Sequence, residues 1–221
     1  MRQHALALAA VVSLCAGSAF AQSTGVAVGA QLGTPGVGAS VQMKASESLV
    51  LRGDLDWMRF GYDRDYSGVE YDSKLKSFTG GAFADFHPGG GPLMVSAGAY
   101  YGTRKLDLDA RPTGTVDIGG QSFTPAQIGE ITGEARMSKL QPFLGLGYDN
   151  TFSGTGGWGF RAVAGVAFSK DPSVDLIASG GTLATDPNFQ ARLAQEEADV
   201  RDDARRLRYF PVVQVGITRQ F

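Results

Sequence analysis

Arg52, Asp54 and Asp56 alternate with Leu51, Gly53, Leu55 and Trp57. An extended chain sends successive side chains to opposite faces, so this spacing puts three charges on one face and an apolar band on the other. Asp85, between Ala84 and Phe86, and Arg161, between Phe160 and Ala162, repeat the pattern, as does Gln214 between Val213 and Val215. Lys139, next to Leu140, is assigned to the same polar face, with Thr79, Ser96, Tyr100 and Gln141. Charges gathered in a confined interior must pair, because an isolated buried charge is strongly destabilising. The expected arrangement is a salt-bridged plug in which Arg161 meets Asp85 or another inward carboxylate. The alternative is a narrow polar path for small solutes through the same residues.

Other chemistry is poorly provided for. A nucleophile or a bound water needs a general base, and after the N-terminal segment His87 is the one histidine. It stands in a turn with Pro88 and Gly89 to Gly91, where a solvated turn residue is expected. The single cysteine, Cys15, falls in a segment expected to be removed, and Leu14 before it is too large for a lipoprotein site. No thiolate or histidine cluster remains for zinc. Gly89 to Gly91 and Gly154 to Gly157 lack the Lys-Ser/Thr that completes a phosphate loop. We therefore expect no catalytic set, no metal and no cofactor. The formal charge of −2 gives no reason to expect nucleic acid as a partner.

Eight alternating segments position the inward residues, each near the roughly 9 to 11 residues a tilted strand needs to cross hydrocarbon. Their outward sets run from Val26, Val28, Ala30 and Leu32 through Leu49 to Trp57, Phe78 to Phe86 and Leu93 to Tyr101, ending with Val213, Val215, Ile217 and Phe221. Thirty-one glycines with many Val, Ala and aromatic residues suit strands and tight turns. The second, fourth and sixth connections are short: Ser46 to Ser48, His87 to Gly91 and Asp149 to Gly157. Segments 61–72, 103–134 and 170–208 are long. Short turns on one side and long loops on the other are the asymmetry of outer-membrane barrels. Trp57, Tyr101, Phe168 and Tyr209 fall at the outer strand ends and Phe86, Tyr148, Trp158 and Phe221 at the periplasmic ends, giving two aromatic girdles. A soluble barrel would turn the apolar faces inward and leave Phe83, Met94, Tyr100 and Phe143 outside among charges.

Two outer loops carry structure of their own. Val116 to Ile118 and Gln121 to Phe123 flank Gly119-Gly120 as a small hairpin expected to extend the barrel wall. Thr124 and Pro125 start about one helical turn. Asp186 and Pro187 start a helix to about Leu207, with Phe189, Leu193, Val200, Ala204 and Leu207 as its apolar stripe and Glu197–Arg201 and Asp202–Arg206 as i, i+4 pairs.

The chain ends agree with export. Arg2 and His4, the apolar run Ala5 to Gly17 and Ala19-Phe20-Ala21 have the layout of a signal peptide cleaved after Ala21, leaving 22–221 as one barrel domain. The last strand, Pro211 to Phe221, alternates and stops on an aromatic residue, although Arg219 stands where a Tyr or apolar residue is usual. With Gln141 to Tyr148 and Gly157 to Phe160, it resembles the small eight-stranded outer-membrane β-barrels of Gram-negative bacteria, the outer-membrane protein A transmembrane domain and the opacity and porin-like small barrels among them. The resemblance implies an all-β fold, a closed eight-stranded antiparallel transmembrane barrel with a charged helix in the last outer loop. It also implies residence in the outer membrane, lipid contact and Phe221 as the signal read by the barrel assembly machinery. No ligand is implied. A structural or surface-interaction role follows, with the 170–208 loop available to an extracellular partner; a porin-like or laterally gated channel is the alternative. Protease added to intact cells should cut between Lys170 and Arg208 before it reaches Ser46 to Ser48 or His87 to Gly91, and equal accessibility by mass mapping would overturn this topology.

Overall fold

The computed structural model describes residues 25–66, 69–154 and 157–221, without the side chains of 63–71, 206 and 207. The expected leader 1–21 lies outside the described residues, as do the side chains of Arg206 and Leu207. Twelve strands occur among the described residues: β1 (Val26–Gly33), β2 (Gly36–Ser46), β3 (Leu49–Tyr66), β4 (Val69–Phe86), β5 (Leu93–Pro112), β6 (Val116–Ile118), β7 (Gln121–Phe123), β8 (Gly129–Arg136), β9 (Leu140–Asp149), β10 (Gly157–Phe168), β11 (Ser173–Gly180) and β12 (Tyr209–Gln220). Two α-helices join them, α1 (Pro125–Ile128) and α2 (Pro187–Ala204).

Eight of the strands form a ring in the order β5, β4, β3, β2, β1, β12, β10, β9, and the β5–β9 pairing closes it. Every pairing is antiparallel, so the backbone donors and acceptors of the ring are satisfied without a free edge, which is what hydrocarbon requires of a spanning sheet. Burial follows the pleat. Leu51, Leu55, Trp57, Leu93, Leu144, Leu146, Val213 and Ile217 are exposed on the outer surface, while Arg52, Asp54, Asp56, Asp85, Arg161 and Gln214 are buried inside. Among the described residues no helix is long and apolar enough to cross a membrane; the spanning elements are strands.

Segments 61–72 and 103–134 differ from the sequence expectation. Most of what reads as loop is sheet. β3 and β4 pair residue for residue out to Tyr66 and Val69, and β5 continues to Pro112 beside β4. Above Gly102 the partner of β5 changes from β9 to β8, and β11 adds to β8. Polar residues such as Lys74, Asp107 and Glu134 had broken the apolar alternation there, yet a ladder outside the hydrocarbon has no need of apolar side chains on its solvent face.

The hairpin of β6 and β7 is correctly bounded but misplaced. It forms a separate two-stranded sheet whose turn residues Gly119 and Gly120 have φ of 54° and 75°, the left-handed pair that a two-residue hairpin turn demands. Its Ile118 and Phe123 pack with Ile128, Ala178, Phe189 and Leu193 into a small core above the barrel. The cap of α2 is Asp186, which accepts from the backbone N of Asn188 at 2.9 Å and of Phe189 at 3.0 Å. Only the first half of the predicted stripe is buried. Phe189 and Leu193 enter the core, whereas Val200 is exposed. Glu197 pairs with Arg201 at 2.5 Å as expected, and Asp202 pairs with Arg205 at 3.0 Å.

Candidate functional site in the barrel lumen

Eight strands enclose little more volume than their own inward side chains fill, so the lumen residues are constrained by each other. Arg52 sits at the centre of a buried ion cluster. Its Nε donates to Asp85 Oδ2 at 2.7 Å and its Nη2 to Asp85 Oδ1 at 3.3 Å and Ser96 Oγ at 3.1 Å. Nη1 donates to Asp54, and Ser96 Oγ closes the set by donating to Asp85 at 2.5 Å. A forked guanidinium is the side chain suited to holding two carboxylates at once.

The partner of Asp85 is thus Arg52 and not Arg161. On β4, Asp85 stands opposite Val50 of the adjacent β3, two residues from Arg52, whereas Arg161 belongs to β10, three strands away around the ring. Arg161 donates to Gln31 Oε1 and makes no ion pair among the described residues; its Nε and Nη1 have no protein partner. Asp56 is held by neutral amides, accepting from Gln31 and Gln214 at 2.9 Å each. Lys139 departs from expectation altogether. It is exposed in the bend before β9, because the strand begins at Leu140 and the alternation that would aim Lys139 inward has not yet started.

Above the ion cluster lies an aromatic layer. Phe83, Tyr100 and Phe143 meet edge to face at centroid distances of 4.9, 5.5 and 5.7 Å, packed with Met94, Val163, Ala167 and Val212. Inward glycines make room for the rings: a Cβ on Gly81 would lie 2.3 Å from Phe83, and one on Gly145 2.6 Å from Phe143. Arg52 stacks beneath Phe83 at 4.1 Å, and Arg104 stacks on Phe210 at 4.1 Å and Tyr100 at 5.2 Å. Arg104 also donates to Gln141 Oε1 at 2.6 Å. At the end that carries the short turns Asp149 accepts from Gln42 at 2.7 Å and from the Thr151 backbone at 2.8 Å.

Arg104, Gln31, Gln42 and Asp149 join the lumen residues expected from sequence. Arg104 falls in the 103–134 segment that reads as a loop, although continuing the β5 parity through Met94, Ser96 and Tyr100 places it inside. Gln31 and Gln42 lie on the faces opposite the outward sets of β1 and β2, so the same rule would have found them.

All eight aromatic residues expected to form girdles are exposed. Phe168 and Tyr209 pair across β10 and β12 with rings 6.0 Å apart. Arg219 lies over Trp158 at 5.6 Å, so a cation at the outward face of the last strand rests on a girdle ring. His87 is buried rather than solvated, its Nδ1 3.0 Å from the Gly91 carbonyl. Beyond the barrel, the hydrogen bond from Arg136 holds the Glu134 carboxyl below the usual carboxylate range.

A closed antiparallel ring of eight strands with an apolar exterior and a polar and aromatic interior defines a small transmembrane β-barrel. The chain is similar in structure to CarO2 of Acinetobacter baumannii, at 24% identity over 90% of this chain and 100% of that chain with a TM-score of 0.60. It is similar also to CarO of Acinetobacter baumannii, at 22% identity over 88% and 97% with a TM-score of 0.59. These likenesses bear on the fold alone. No protein-family model matches the sequence, and no curated protein matches it.

Replacing Arg52 with Met leaves Asp54 and Asp85 buried without a countercharge and should cost about 3–5 kcal/mol, read as a lower unfolding midpoint in detergent; Arg161→Met should cost less, and the reverse order would refute the assignment of Arg52 as the hub. Gly81→Leu should destabilise by about 1–3 kcal/mol through displacement of Phe83, whereas the same change at outward Gly53, where a Cβ meets only a carbonyl oxygen at 3.9 Å, should be near neutral in the same measurement.

Proposed function

We propose that this chain is an outer-membrane barrel whose lumen is plugged, and that its role is to hold the outer unit of β8, β11, α2 and the β6–β7 hairpin at the cell surface. The single observation carrying this reading is the stack of Arg52, Phe83, Tyr100 and Arg104, four bulky side chains each less than 5% exposed and in successive contact along the lumen. A path for solutes would have to part an ion cluster and an aromatic layer together. Export by the 1–21 leader and assembly through the strand ending at Phe221 belong to the same proposal, as does an extracellular partner for the 170–208 segment.

The second reading, a narrow channel, is favoured by one group of atoms. Asp54 Oδ1, Asp56 Oδ2, Gln214 Oε1 and Arg161 Nε and Nη1 are buried with no protein partner among the described residues, and groups of this kind are satisfied by internal water. Water can occupy that band without crossing the aromatic layer above it.

Planar-bilayer recording decides between the two. The purified protein should give no steady single-channel steps, while Phe83→Ser with Phe143→Ser, which opens the aromatic layer, should conduct only when Arg52→Ser and Asp85→Ser open the ion cluster as well. Stable channels formed by the unaltered protein, selective for one ion sign and altered by Arg161→Gln, would overturn the plug.

A further inference from the structure

On the outer surface of the tall wall, register aligns residues into rows. The girdle row is Trp57, Phe78 and Thr103, and the next outward row, two residues further from the membrane, is Arg59, Lys76, Lys105 and Arg136 on β3, β4, β5 and β8. Four cations side by side repel one another, since like charges directly opposite in a sheet are destabilising. Two acids from the row above compensate part of this. Asp107 holds Lys76 at 2.6 Å and Lys105 at 3.3 Å, and Glu134 holds Lys105 at 3.3 Å and Arg136. At the β3 end Arg59 has no acidic partner among the described residues. Between it and the girdle lies a surface depression of about 220 Å³ lined by Trp57, Arg59, Lys76, Phe78, Thr103 and Lys105.

We propose that this depression binds the phosphorylated headgroup of a lipid in the surrounding leaflet; the inference rests on the membrane placement proposed above. The phosphate accepts from the forked guanidinium of Arg59 and from Lys76, a charge-assisted pairing for which Arg is geometrically suited, while Trp57 and Phe78 border the acyl region at the depth where aromatic girdles sit. Height selects the lipid over a free anion. The cations stand directly above the aromatic row; the next row holds Asp107, Glu134 and Asp175 with Lys74, and the one beyond it Asp72 and Asp109, so the all-cationic row is the one that faces the headgroups. Basic pockets beside spanning elements recognise anionic headgroups by this charge matching.

Native mass spectrometry of the full protein in detergent tests the site with three probes: a bis-phosphorylated lipid A, its dephosphorylated form, and inorganic phosphate. The unaltered protein should retain one phosphorylated lipid. Arg59→Gln should weaken retention about tenfold, the loss of roughly one charged hydrogen bond, and Arg59→Gln with Lys76→Gln should abolish it, while the distant Lys170→Gln leaves it unchanged. Equal retention of the dephosphorylated lipid, or unchanged retention in Arg59→Gln, would overturn the proposal, and displacement of the lipid by inorganic phosphate alone would assign the site to a free anion instead. Heat-modifiable migration of the same samples keeps the two readings apart: its persistence in Arg59→Gln shows an intact barrel, and its absence in the unaltered protein would sink the membrane placement and not the headgroup site specifically.

Discussion

A cylinder of eight strands leaves its interior little more room than its own side chains need, so the volume and charge of each inward residue are tied to those of its neighbours. Arg52 shows how. It can be buried because Asp54 and Asp85 neutralise it, and those carboxylates can be buried because Arg52 and Ser96 bind them. Phe83 then lies across the guanidinium, and Gly81 must lack a side chain so that Phe83 can lie there. Charge, ring and missing Cβ form one linked set. Such sets are favourable only when complete, because a partly satisfied buried network costs more than an apolar one.

Outside the hydrocarbon the same sheet is held by different forces. The inner face of the extended wall carries Ile131, Leu176 and Ala178 against Phe189 and Leu193 of α2, so apolar burial drives that packing. Its outer face is a lattice of ion pairs among Lys, Arg, Asp and Glu. Exposed pairs of this kind contribute little to stability individually, which leaves their arrangement free to serve contacts with the surroundings. Through β3, β4 and β5 a single hydrogen-bond ladder carries the apolar exterior into the charged one.

The ring of strands was legible in sequence because its outward face must be apolar against lipid, which imposes period 2 on segments such as Leu49 to Trp57. Inward charges followed by parity where the strand had already begun, as for Arg52, Asp85 and Arg161. Lys139 failed because strand starts are set by turn geometry that alternation does not report. The pairing of Asp85 was illegible for a different reason: parity places a residue on a face but says nothing of which strands are neighbours in a closed ring. Arg104 was lost where polar residues entered the pattern, although the backbone ladder continued through them. The helix at 187–204 was legible from its cap and its charge order, and the burial of only its first half follows from packing against Ile118, Phe123, Ile128 and Ala178, which a stripe within the helix does not report.

The rim of the barrel is uneven. β1 and β2 meet at Gly33 and Gly36 in the tightest outer turn, while β3 and β4 run on to Tyr66 and Val69 and β5 to Pro112. A cylinder alone would look alike from every direction in the bilayer, but this protein has a front and a back. In a crowded membrane a neighbouring protein can approach above the lipid on the low side, over β1, β2 and β12, and is kept at a distance on the high side by the wall. Set in a bilayer, such a rim would leave the two sides of the barrel unequally open to a neighbour, the difference being set by the length of three strands.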